Sequence, residues 1–486
     1  MSSCFTDLAQ QFIDGEWRPG TGSWDIIDFN PYDGEKLASI TIATIDEVDE
    51  AYKCAARSQK HWSTTNPYTR RDIFDRALRL LEEREQEVLD AIIAELGGTH
   101  VKARFEINLA KEFLREAAQL TLRSEGRILP SPVEGKENRL YRVPVGVVGV
   151  ISPFNSPFLL SIKPVAAALA LGNAVVLKPH EDSPIVGGTL IAKLFEDAGL
   201  PAGLLNVVVT DIAEIGDAFI EHPVPKVITF TGSDKIGRHI ATVCAAQLKR
   251  TVLELGGNSA LVVLDDADID YAVDAAVFSR YVDQGQVCMA ANRVLVDRSV
   301  AAEFTEKFVA KVRTLKTGDP RDPQTVIGPV INSLQANAIS AAVDQAVAEG
   351  ATVLVRGTTT DNMVEPSVLT DVPSDSSLLH KEIFGPVALL VPFDGEEEAI
   401  RIVNDTPYGL SGAVHTADVE RGVAFAQQVD TGMFHVNDGT IHDEPLIPFG
   451  GEKNSGIGRL NGETTLDAFT TLRWISVQHG RSAFPF

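Results

Sequence analysis

The sequence predicts an α/β protein built from two successive units of alternating strands and helices, with a small β element outside both. Two observations carry this. From residue 145 onward, short β-branched runs that are apolar throughout alternate with helical stretches, the pattern of parallel strands covered on both faces. After Gly256 and Gly257 the alternation starts again. The length agrees, because 486 residues at about 150 per domain is roughly three units.

Taken in order, residues 1–45 carry several Gly and Pro among short apolar runs and read as an arm of strands and turns. Val48, Ala51, Tyr52 and Ala55 then recur at helical spacing. Ile73, Ala77, Leu80, Leu81, Val88 and Ile92 do so over a longer stretch, which reads as one long helix. The first unit follows, with strands at 145–151, 174–178, 204–209, 226–230 and 251–255. Helices at 157–171, 184–198, near 211–221 and at 234–248 lie between them. Crossovers of this kind give a doubly wound, Rossmann-type sheet. The second unit has strands at 260–264, 292–297, 351–355, 386–391, 411–415 and 432–436. Its helices fall at 268–281, 300–315, 334–349, 394–404 and 417–429. Segments 125–144 and 466–486 belong to neither run. Both hold strand-like pieces (RLYRV, TLRWISV) whose edges suit pairing with another subunit.

Composition narrows the function. Lys+Arg number 43 against 67 Asp+Glu, a formal net charge of −24. A chain so acidic lacks the basic face that nucleic acid or an anionic membrane requires. The longest apolar run, 165–177, is interrupted by Gly172 and Asn173 and falls short of the ~20 residues that cross a bilayer. MSSCFTDLAQQF has neither a basic nor an apolar signal region, so no signal peptide is expected. The four cysteines are scattered without metal-ligand spacing, so neither a disulfide framework nor a metal site is expected, and a reducing cytoplasm fits.

Several residues could carry chemistry. Cys288 follows a flexible Gln-Gly-Gln, where a thiol is reachable, although a lone Cys is more often core filler. Glu254 ends an apolar strand beside two glycines. It reads as a satisfied structural Glu or as a base with a raised pKa. Asn155, just past the strand at 145–151, either shapes a turn or donates to an oxyanion. Lys178, with Glu181 three residues on, suits ribose hydroxyls. Gly232 and Ser233 open a helix, a place for a pyrophosphate. Each has a bland alternative alone. Together, Asn155, Lys178, Ser233 and Glu254 fall at the C-terminal ends of predicted parallel strands, one edge of one sheet.

SPFNSP, ALALGNAVVLKP, FTGS, LELGGN, GQVC, EIFGP and PFGGEKNSGIGR occur in that order. With these motifs the chain resembles the aldehyde dehydrogenase superfamily over essentially its whole length. The resemblance implies a catalytic set of Cys288 as nucleophile, Glu254 as base for the deacylating water, Asn155 as oxyanion donor, and Lys178. It implies cofactor contacts from Ser152, Phe154, Lys178, Glu181, Gly232, Ser233, Leu255, Glu382 and Phe384. It implies a cofactor-binding domain over 1–124 and 145–256, a catalytic domain over 257–448, and oligomerisation through 125–144 and 466–486 into a homodimer or homotetramer. The implied course is attack of the Cys288 thiolate on an aldehyde, hydride transfer to a nicotinamide, and hydrolysis of the thioester to an acid. Departures are Phe154 where Trp is common, Ser156 where Phe is frequent, and Asp283 where Asn is common.

Within the superfamily the chain is most similar to bacterial benzaldehyde and vanillin dehydrogenases, through NSPF, LKRTVLELGGNSALVVLDDADID and GQVCMAANR. Ser156 opens the pocket mouth. Leu159, Leu160, Tyr281, Val282, Ile447 and Phe449 are expected to line an apolar slot. No Arg adjoins Cys288, although Arg280 and Arg293 are near in sequence, so a neutral aromatic aldehyde is expected. Glu181 favours NAD over NADP, with NADP use still open. The alternatives are an aliphatic aldehyde or semialdehyde substrate, a cofactor-independent thiol esterase, and an inactive binding protein.

Overall fold

The computed structural model describes residues 4–486. Its first sheet has eight strands, in the order Glu16–Arg18, Gln11–Ile13, Leu205–Val207, Ala174–Lys178, Val147–Ile151, Val227–Thr231, Arg250–Glu254 and Gly456–Ile457. The inner five are parallel and the two flanking pairings are antiparallel. These inner strands are mostly apolar and, apart from Arg250 and Thr251, largely buried, because helices cover both faces. The strand order reverses between Val147–Ile151 and Val227–Thr231. In open α/β sheets ligands bind beyond the strand ends at such a point.

The second sheet runs Thr352–Val355, Ser367–Thr370, Val387–Phe393, Ala291–Asp297, Ser259–Val263, Gly412–His415, His435–Val436. It is parallel apart from its first edge. The third sheet joins Thr470–Gln478, Lys136–Pro144 and Arg127–Leu129, all antiparallel. The two segments expected outside the units thus pair with one another, Thr470 opposite Pro144 through Gln478 opposite Lys136. The chain beyond 448, left outside the second unit, returns to the first sheet at Gly456–Ile457.

Three expectations need correction. The long helix over 73–92 is two helices, Pro67–Glu83 and Glu85–Leu96, separated at Arg84, whose φ of −106° and ψ of 17° leave the helical region. A further helix, His100–Leu120, was not read from the sequence. Lys102, Glu106 and Lys111 are buried in it and interrupt the apolar period that would have marked it. The helix expected over 184–198 begins as a π-turn at Ile185–Thr189 before Leu190–Asp197.

Candidate active site

The first sheet delivers side chains to one edge. Lys178 and Glu254 are the last residues of their strands. Asn155 follows the strand Val147–Ile151 and precedes the helix Pro157–Ala170. Gly232 and Ser233 follow the strand Val227–Thr231, and Ser233 caps the helix Asp234–Ala246. The second sheet supplies Cys288, in the loop between the helix Ile269–Tyr281 and the strand Ala291–Asp297.

That loop is held tightly. Asp283, Gln284 and Gly285 are all left-handed, with φ of 52°, 54° and 73°. Two non-glycine residues in that region are costly, and side-chain bonds hold them there. Gln284 donates to Pro329 O at 3.0 Å and accepts from Gly328 N at 3.2 Å. Arg280 donates to the carbonyls of Gly285, Ile383 and Gly385 at 2.9, 3.1 and 2.7 Å. Arg293 likewise spends its guanidinium on the carbonyls of Ile402, Asn258 and Val403. Both arginines are buried, and neither lines a cavity at Cys288 where it could meet a substrate carboxylate. A Cβ on Gly257 would lie 2.2 Å from the Cys288 carbonyl oxygen, so the two sheets meet at a position only glycine fits.

Two cavities meet at Asn155, Glu254 and Cys288, which line both. The larger, about 530 Å³, is lined by all nine residues expected to contact a cofactor: Ser152, Phe154, Lys178, Glu181, Gly232, Ser233, Leu255, Glu382 and Phe384. Lys178 Nζ lies 2.6 Å from Glu181 Oε1. Burial works to raise the Glu181 pKa, but the charges of Lys178 and His180 outweigh it and keep the carboxylate ionised. Glu382 accepts the Gly257 N–H at 3.0 Å. Burial nonetheless pushes its carboxyl up to about 7. Phe154 stands edge-on to both Phe384 and His180. An ionised acceptor for ribose hydroxyls, N–H donors at a helix N-terminus and an aromatic wall are the features that fit a dinucleotide.

The smaller cavity, about 100 Å³, is almost wholly apolar. Leu159, Leu160, Val282 and Phe449 line it as expected. Tyr281 and Ile447 do not. Tyr281 ends its helix on the face turned to the second sheet, where it is 1% exposed and its hydroxyl donates to Ser367 O at 3.1 Å. Ile447 is 57% exposed on the outer side of its loop, and only Phe449, two residues on, turns inward. Phe105, Phe278, Met289 and Ile441 complete the wall. Phe105 lies on the helix that the sequence pattern concealed. Lys163 and Asp443 also line it, as a buried ion pair of 2.9 Å with Lys163 Nζ 3.8 Å from the centre of the Phe449 ring. No local signal joins residues 280 positions apart.

At the junction, burial pushes the Cys288 thiol up to about 12, with Glu382 and Glu254 adding to the shift. Burial pushes the Glu254 carboxyl up to about 8, against the pull of Lys163. Neither Glu254 oxygen has a hydrogen-bond partner among the described residues. A buried carboxyl with no donor is expensive, and a pKa near working pH suits proton transfer. Asn155 Nδ2 donates one N–H to Gln286 O at 2.8 Å, which leaves the second for a ligand oxygen. A thiol, an unanswered carboxyl and an amide donor thus face one point between an apolar slot and a dinucleotide-sized groove. That arrangement can perform acyl chemistry on a carbonyl.

The comparisons with known proteins agree. The profile described as "Aldehyde dehydrogenase family" matches residues 17–475. The chain is 56% identical to the benzaldehyde dehydrogenase YfmT of Bacillus subtilis strain 168, over 99% of each chain. A crystal structure of a NAD-dependent benzaldehyde dehydrogenase from Corynebacterium glutamicum superposes with a TM-score of 0.90 at 43% identity, covering 97% of this chain and 99% of that one. A salicylaldehyde dehydrogenase from Pseudomonas putida G7, complexed with salicylaldehyde, gives 0.95 at 34% identity, covering 98% and 99%. With its motifs in order, its two sheets in place and the match spanning nearly its full length, the chain belongs to the aldehyde dehydrogenase family.

Proposed function

We propose that this chain oxidises a neutral aromatic aldehyde of the benzaldehyde or vanillin type to its carboxylic acid, using NAD. The observation that carries the reading is the convergence of Cys288, Glu254 and Asn155 where an apolar cavity meets the larger groove. Names of relatives support the substrate class, and a slot lined by no arginine among the described residues supports a neutral ring.

In this mechanism the Cys288 thiol releases its proton to solvent, the thiolate sulfur attacks the aldehyde carbon, and the spare Asn155 N–H stabilises the oxyanion of the thiohemiacetal. Below pH 8 Glu254 holds its proton and places no charge beside the attacking sulfur. NAD, when bound, supplies the hydride acceptor. The Cys288 thioester is then hydrolysed by a water whose proton Glu254 takes in its ionised form. A carboxylate there favours hydrolysis over transfer to another thiol. Lys178 and Glu181 hold the adenosine ribose, Gly232 and Ser233 face the pyrophosphate, and Glu382 and Phe384 contact the nicotinamide end, with Ser152, Phe154 and Leu255 completing the wall. Because Glu181 stays ionised, it accepts from a free 2′-hydroxyl and repels a 2′-phosphate, so NAD is preferred and NADP is the poorer cofactor.

Residues 1–124 and 145–256 serve as the cofactor-binding domain and 257–448 as the catalytic domain. Among the described residues no helix is long and apolar enough to cross a membrane. The sheet formed by 125–144 and 466–486 joins copies into a dimer or tetramer. Exposed Leu472, Trp474, Ile475 and Ile128 on its strands support this. A reducing cytoplasm keeps Cys288 a thiol.

The test is absorbance of reduced cofactor at ~340 nm with benzaldehyde, vanillin, hexanal and succinate semialdehyde, each with NAD and NADP. Fast turnover of the ring aldehydes with NAD is expected. A preference for succinate semialdehyde, or a kcat/KM ratio favouring NADP, overturns the corresponding part.

A further inference from the structure

The helix Pro157–Ala170 starts immediately after Asn155, and its own N-cap residue, Ser156, makes no side-chain cap. Its first N–H groups are answered from far away in sequence. Phe158 N and Leu159 N donate to Glu106 Oε1 at 2.9 and 3.1 Å. The other Glu106 oxygen takes Lys102 Nζ at 2.5 Å, one turn earlier on the helix His100–Leu120. Both side chains are almost completely buried, so neither is a solvated surface charge. Lys102 also lines the aldehyde cavity together with Asp283 of the nucleophile loop, whose buried Oδ2 has no hydrogen-bond partner among the described residues. The Lys102 charge thus pairs with the Glu106 carboxylate behind the oxyanion donor and also acts on the Asp283 carboxyl of the nucleophile loop.

The same device occurs a second time. Glu95, also fully buried, accepts Ile185 N and Val186 N at 2.8 and 2.7 Å. It caps the helical segment that follows the Lys178–Glu181 loop. Remote carboxyl caps thus sit behind two of the strand-end loops that carry proposed ligand contacts, those at Asn155 and at Lys178–Glu181. Fixing orphan N–H groups at a helix start sets the direction of the chain entering it.

We infer that Glu106 is a positioning residue for the proposed oxidation: by capping the helix Pro157–Ala170, with Lys102 fixing its carboxylate, it sets the Asn155 amide against the Cys288 loop. This rests on the reading of Asn155 as oxyanion donor, and the experiment separates the two. E106Q, N155A and the double variant are assayed with benzaldehyde and NAD, with thermal unfolding as a check of the fold. N155A should lower kcat by about 10²–10³-fold, as loss of one such donor does. E106Q should lower it about tenfold, the scale of a sub-ångström misplacement, with KM for NAD unchanged. In the N155A background E106Q should cost less than about twofold, because its effect passes through a side chain already removed. The same factor in both backgrounds, or no loss in the native background, overturns the inference. Full activity in N155A overturns the oxyanion assignment itself. Should E106Q not accumulate as folded protein, K102Q leaves Glu106 a neutral donor and runs through the same cycle. A loss of about threefold confined to enzyme that retains Asn155 is then expected, and an equal loss in both backgrounds overturns it.

Discussion

Replacing Glu254 by Gln removes a buried carboxyl that no donor answers, and the structure sets how stability should respond to pH. The group titrates near 8 in the fold against 4.5 when free. A raised carboxyl pKa means the folded protein still holds a proton that the unfolded chain has released. Its contribution is therefore lost as pH rises from about 4.5, and the loss is complete above about 8. Gln has no such proton. The stability of E254Q relative to native protein should thus climb across that window. Between pH 6 and pH 8 the climb is on the order of 2 kcal/mol. The cost of burying an unpaired amide, about 1–3 kcal/mol, is independent of pH and cancels in the difference. With an unfolding entropy of about 2.1 cal/mol/K per residue, a chain of 486 residues shifts its melting temperature by about 2 °C. The assay is thermal unfolding of both proteins at pH 6, 7 and 8 and one protein concentration. Melting curves that stay parallel across this range would refute the raised pKa and with it the base assignment. The same variant should release one equivalent of reduced cofactor per Cys288 in a burst and then stall, since only thioester hydrolysis needs the base.

Three further outcomes follow from the geometry. G257A places a methyl 2.2 Å from the Cys288 carbonyl oxygen. It should cut kcat by about 10²-fold or more, read by steady-state oxidation of benzaldehyde. Y281F removes a hydroxyl bonded to Ser367 O outside the aldehyde cavity. It should lower stability by about 1 kcal/mol and leave KM for aromatic aldehydes unchanged; a raised KM would return Tyr281 to the pocket. E181Q removes the charge that repels a 2′-phosphate, so the NAD to NADP ratio of kcat/KM should fall about tenfold or more, measured with one aldehyde and both cofactors.

Much of the site was legible in the sequence because parallel strands buried on both faces read as unbroken apolar runs. Residues at their C-terminal ends must face one edge. Asn155, Lys178, Ser233 and Glu254 were placed on that edge by position alone, and the ordered motifs supplied their proposed roles and those of Cys288, Glu382 and Phe384. What lay outside this logic depends on groups distant along the chain. The helix His100–Leu120 was hidden because Lys102, Glu106 and Lys111 stand on its buried face. There Lys102 pairs with Glu106, but Glu106 also needs the N–H groups of Phe158 and Leu159, and Lys111 needs Glu85, all distant along the chain. Tyr281 and Val282 are neighbours, yet one packs on the second sheet and the other lines the cavity. That outcome is set by how the helix end is rotated against the sheet. Lys163 meets Asp443, and Glu106 caps a helix that begins after Asn155, only once elements distant along the chain have packed. The sequence by itself determined which residues could react. The tertiary structure decided which of them are desolvated, which are answered by a partner, and therefore where Glu254 titrates, because burial and pairing are properties of surroundings that assemble only in the fold.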